Sequence, residues 1–238
     1  MINKKYSLLM GLRCILFLIS FDLISLIFDT PIESLSKWWS CVVVAVNIVT
    51  LAILLIVCKS GGITYKQLIG YEKGKTSFNQ IILMIFVIFV VGMGGMFLAG
   101  FLCYQKFPYM AVMMIEPIPI GLAVFNCFLL PITTTLAEDG LYLGAGVNQI
   151  KNKWLAIIVP SFFYAFQHSF IPVIFEWRYI AYRLLSFLPL AVLMCVIYYK
   201  KRNPLPLMIG HFVINLATVA QILITSISPE LYQSFLGL

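Results

Sequence analysis

The chain has 238 residues, of which 62% are hydrophobic and only 11% charged, with a mean hydropathy of +1.01. A soluble domain of this length needs far less apolar surface for its core, so the composition excludes a water-soluble globular protein and points to an integral membrane protein. The net charge of +7 does not point to nucleic acid, because the basic residues flank apolar runs instead of forming one continuous face.

A membrane-spanning helix takes about 20 mostly apolar residues. Runs of that kind lie near 8–28, 38–58, 80–103, 120–146, 154–173, 180–199 and 206–228. The expectation is an all-α polytopic bundle of about seven spans, folded as one membrane domain over 1–238. The first run follows Lys4 and Lys5, but it holds Arg13 and Asp22 and has no small-residue cleavage site before Pro31, so it reads as a retained span and not a secretory signal. Arg13, Asp22 and Asn47, in the first two spans, receive no role. The connection 60–79 reads as a solvated basic loop. The stretch 108–150 is too long for one straight span and carries Pro117, Pro119 and Pro131, so an interfacial or re-entrant start is open there.

Lysine and arginine mark every second connection: Lys4 and Lys5, then Lys59, Lys66, Lys73 and Lys75, then Lys151 and Lys153, then Lys200, Lys201 and Arg202. By the positive-inside rule these connections are cytoplasmic in a cell membrane, with the amino terminus inside. All four tryptophans, Trp38, Trp39, Trp154 and Trp177, fall at expected span ends, where amphipathic rings anchor among headgroups. The six cysteines show no C-x-x-C spacing and read as small buried apolar residues.

Three polar islands break the later apolar runs. They are Glu138-Asp139 in the fourth span, Tyr164 to His168 in the fifth, and His211 to Asn215 near the start of the seventh. Ionisable groups inside a bilayer are costly and mark sites. Adjacent acids on a helix point about 100° apart, so Glu138 and Asp139 cannot share one job. His211 and Asn215, four residues apart, share a face. A carboxylate and two imidazoles in a dry cavity suit general-base activation of water, and an imidazole beside a carboxamide suits donation to an oxyanion.

The order E-E-x-x-x-R, F-x-x-x-H, H-x-x-x-N on successive polar-bearing spans is that of the CPBP family of intramembrane proteases, also called the Abi or CAAX-protease-like family. The chain resembles it from about residue 120 to 217. The resemblance implies an intramembrane endopeptidase that hydrolyses a membrane-associated peptide or protein near the cytoplasmic face, as in bacteriocin immunity or peptide-signal processing. Its site would lie between spans four, five and seven. Glu138 would be the water-activating base, His168 its assistant, and His211 and Asn215 the stabilisers of the tetrahedral intermediate, with Asp139 and Tyr164 in support. Asp139 replaces the second glutamate, Leu143 stands where the motif has arginine, and Tyr164 replaces phenylalanine, which reads as mild. Without that arginine, Asp139 must be neutral, solvated or paired with a distant residue. The alternative function is a catalytically inactive relative that acts by binding, as an immunity or regulatory membrane protein. Family members are often described as metalloproteases, and His168, His211 and Glu138 would be the ligands of a divalent metal such as zinc. The reading favoured here is a glutamate-dependent hydrolase with no obligatory metal, because no H-E-x-x-H spares a base.

Overall fold

In a computed structural model the described residues, 9–236, form nine α-helices and no β-strand. Lys4, Lys5 and the start of the first expected span lie outside them. The helices are α1 (Leu12–Phe28), α2 (Trp39–Ser60), the short α3 (Tyr65–Leu68), α4 (Phe78–Tyr104), α5 (Ile120–Thr134), α6 (Lys153–Phe166), α7 (Trp177–Lys201), α8 (Leu205–Ile227) and α9 (Pro229–Leu236). Without a break, α5 continues as a π-helix over Thr135–Val147. The protein is an all-α membrane bundle. Five helical stretches are long and apolar enough to cross a bilayer. Two of the seven expected runs form shorter helices, α1 with 17 residues and α6 with 14.

Local chemistry sets the helix starts. Ser77 and Gln80 form a capping box before α4, satisfying two of the backbone N–H groups that a helix start leaves free. The Asn152 side chain accepts from the N–H groups of Trp154 and Leu155 at the head of α6. Within the bundle α4 packs on α7 and α8, α6 on α7, and α5 on α2 and α8. Gly95 permits a close crossing of α4 and α7, since a Cβ there would stand 2.6 Å from the Ser186 carbonyl oxygen of α7.

The expected solvated loop is a strap instead. Tyr65 donates to the Leu136 carbonyl, Asn148 to that of Leu68, and Tyr198 to that of Ile69, while Thr76 binds Asn203. Leu68 and Ile69 are buried beneath it. These bonds gather the basic connections at one end of the bundle. At the other end Trp39 lies inside the protein, 6% exposed, with its indole N–H on the Met114 carbonyl. That corrects its reading as a headgroup anchor, whereas Trp154 and Trp177 are exposed. The indole found a backbone acceptor because the 105–119 segment folds back over the bundle, with one 3₁₀ turn at Val112–Ile115.

Two apolar clusters fill the interior. One, around Phe17, Trp39, Tyr179 and Val219, occupies the tryptophan end. The other, around Met10, Leu54, Leu143 and Tyr198, occupies the basic end. The polar site lies between them, and Arg13 belongs to it, one helical turn from each of Met10 and Phe17.

Candidate active site

Pro131 lies inside α5, where it has no N–H to donate to the preceding turn, and the wider π-helical winding begins four residues later. In that winding Glu138 and Asp139 face different partners, as two adjacent acids must. Both are essentially fully buried.

Glu138 Oε1 accepts from Arg13 Nη2 at 2.8 Å. Glu138 Oε2 has no hydrogen-bond partner among the described residues and lies 3.8 Å from His211 Nε2. Asp139 Oδ1 takes the Tyr164 hydroxyl at 2.8 Å and faces His211 Nδ1 at 3.2 Å. The Tyr164 oxygen and His211 Nδ1 are themselves 3.1 Å apart. A carboxylate beside Nδ1 calls for the proton on that nitrogen, which fixes the ring and turns Nε2 toward Glu138. Asp139 is thus paired at a distance in sequence, and its partners are a tyrosine and a histidine.

Tyr164 is therefore no mild replacement for phenylalanine. Its ring stacks on Tyr142 with centroids 4.6 Å apart, and its hydroxyl ties α6 to both Asp139 and His211. His168 falls in a 3₁₀ turn, Gln167–Ser169, that ends α6 earlier than the apolar run suggested. Its Nδ1 pairs with the Tyr164 carbonyl at 2.9 Å and its ring stacks on Phe187 at 3.6 Å. Arg183 Nε donates to the His168 carbonyl at 3.2 Å. The His211 and Asn215 pair shares a face of α8 as expected, and Asn215 Nδ2 gives one hydrogen to the His211 carbonyl.

Glu138, Tyr164, His168, His211 and Asn215 all line one cavity of ≈ 210 Å³, walled mostly by apolar side chains. All four expected catalytic residues are thus brought together. Asp139 stands behind the wall. Among the described residues no three His, Cys, Asp or Glu side chains converge as metal ligands. His168, His211 and Glu138 line the cavity without converging as a ligand set, so they do not fit a metal.

The sequence reading missed Arg13 and the residues that hold it. Arg13 is fully buried and donates from Nε to Gln167 Oε1 and from Nη1 to Thr50 at 3.2 Å. Tyr142 shares that Gln167 oxygen at 3.2 Å. The signal was present, since a charge in the middle of an apolar run is a site candidate, but no spacing ties position 13 to 138.

Residues 119–217 match the family model described as Type II CAAX prenyl endopeptidase Rce1-like. The matched family is the CPBP, or CAAX protease, family. The CAAX-protease match covers less than half of the chain, and its limits agree with the resemblance read over 120–217. It includes Glu138, His168, His211 and Asn215 but not Arg13 or Thr50. No curated protein and no solved structure matches the chain.

Proposed function

We propose that this protein is an intramembrane endopeptidase in which Glu138 is the general base. The observation that carries this reading is the division of labour within one carboxylate. Oε1 is anchored by Arg13, and Oε2 is bare at the cavity beside His211. A base must be held in place by one group and left free toward the water it deprotonates.

Glu138 Oε2 takes a proton from a water molecule as the water oxygen attacks the peptide carbonyl carbon. The oxygen of the resulting tetrahedral intermediate accepts hydrogen bonds from the remaining Asn215 amide hydrogen and, when protonated on Nε2, from His211, whose charge Asp139 balances. On collapse the C–N bond breaks and the departing nitrogen recovers the proton from Glu138. His168, held by the Tyr164 carbonyl and the Phe187 ring, directs Nε2 at the reacting atoms. The apolar walls suit a membrane-associated peptide or protein as substrate, with the bilayer as its route of entry. Cleavage on the side of the basic connections, and service in bacteriocin immunity or peptide-signal processing, belong to the same proposal.

Replacing Glu138 by Gln keeps the size and removes the base. Cleavage of membrane peptides is expected to fall on the order of 10²–10⁴-fold, the usual contribution of general-base catalysis. Unchanged cleavage would overturn the reading.

A further inference from the structure

A buried carboxylate that must stay ionised needs a fixed cation. The family motif carries an arginine at position 143, and this chain has leucine there. Leu143 is fully buried in the apolar cluster of the basic end, which also holds Leu54, Tyr198 and Leu207, and contributes nothing polar to Glu138. We propose that Arg13, from the first helix and outside the family-matched segment, is the positioning residue for Glu138 and supplies the fixed cation that position 143 does not. This inference rests on the reading of Glu138 as the base.

The geometry of Arg13 is that of a clamp. Its guanidinium lies 5.2 Å from the Phe17 ring and uses a different nitrogen for each of three elements. Nη2 holds Glu138 of the π-helix, Nη1 reaches Thr50 of α2, and Nε reaches Gln167 in the turn that carries His168. Thr50 is fixed in turn, its hydroxyl on the Val46 carbonyl at 2.7 Å. One planar fork therefore sets the position of the base relative to the segment of its assisting histidine, which a lysine, with a single ammonium, cannot reproduce in full. Arg13 does not line the cavity, so it acts through Glu138 and not on substrate.

Other groups around Glu138 do not duplicate this cation. The titratable groups beside Glu138 or lining the same cavity are Asp139 and Tyr142 from its own helix, Tyr164 from α6, His168 from the turn, Arg183 from α7 and His211 from α8. Among the described residues, Arg13 is the one arginine or lysine within 4.0 Å of the carboxylate. An opposite charge at such a distance favours the ionised form of a carboxylate.

The test has two arms. In the first, thermal unfolding in detergent is measured for Arg13→Gln, Glu138→Gln and the double variant. If Arg13 compensates Glu138, removing the arginine alone leaves a buried unpaired carboxylate, and the double variant melts above Arg13→Gln. A double variant that melts no higher than Arg13→Gln would overturn the proposal, and this arm needs no turnover. In the second arm, wild type, Arg13→Gln and Arg13→Lys are reconstituted in liposomes with a pool of internally quenched apolar peptides. Arg13→Gln is expected to lose kcat by on the order of 10²-fold, as for a base misplaced by about 1 Å. KM should be unchanged, and Arg13→Lys, which keeps the charge but not the fork, should recover part of the lost kcat. A wild-type kcat in Arg13→Gln, or a pure KM effect, would overturn the positioning role. Unchanged cleavage by Glu138→Gln would instead sink the peptidase reading and leave the unfolding result standing.

Discussion

Tyr164 carries a hydroxyl where the family motif has a bare phenyl ring, and that oxygen is bonded to Asp139 and set against His211. Restoring the motif residue with Tyr164→Phe removes one of the two partners of Asp139 Oδ1, and losing a hydrogen bond to a buried charged group costs about 1–3 kcal/mol. Turnover is expected to fall roughly 10- to 100-fold, in line with that range, through a loosened His211. Steady-state kinetics on purified protein would show the loss in kcat, and an equal or faster Tyr164→Phe would contradict this account of Asp139. The identities of Glu138, His168, His211 and Asn215 were legible as ordered polar islands. The partners of Asp139 were not, because they lie 25 and 72 residues away and only the packing of α6 and α8 brings them in.

The π-helix over Thr135–Val147 was invisible in the sequence, whose apolar run looks the same wound by 3.6 residues per turn or by more. Its consequence falls on position 143. Counted as an α-helix, position 143 faces Asp139, so an arginine there looked like the lost partner of a buried acid. In the structure Leu143 is fully buried in the apolar cluster that also holds Leu54 and Tyr198. Leu143→Arg should therefore give no gain in turnover and should buried-charge the basic end, lowering the melting temperature in detergent; a rise in either would show that the site does lack an arginine. The same stretch depends on small residues. A Cβ on Gly146 would stand 2.8 Å from the Pro160 ring of α6, so Gly146→Ala is expected to destabilise by about 1–3 kcal/mol, read as a lower midpoint on thermal unfolding.

Seven apolar runs gave the bundle its outline, and the residues read as a site on the later spans line one cavity. What composition hid is that the first helix closes the site. Arg13 looked like a lone charge in a hydrophobic segment, and its worth appears only when α1, α2, the π-helix and the 167–169 turn are packed together. The strap over 61–77 escaped notice for a similar reason, since Asn148, Tyr198 and Asn203 donate to its backbone carbonyls and Tyr65 donates to that of Leu136, none of which leaves a periodic trace. The basic end that it covers is expected to face the cytoplasm. A cysteine in place of exposed Lys73 should react with a membrane-impermeant thiol reagent only after the membrane is opened, and labelling in intact cells would reverse the orientation.

One comparison decides whether Glu138 is a catalytic base: new peptide termini in membranes of cells carrying wild-type protein or Glu138→Gln at matched expression. Termini present only with wild type are the expected result, and they would also name the substrates. Identical profiles from the two proteins would contradict the peptidase reading and leave a fold kept for binding.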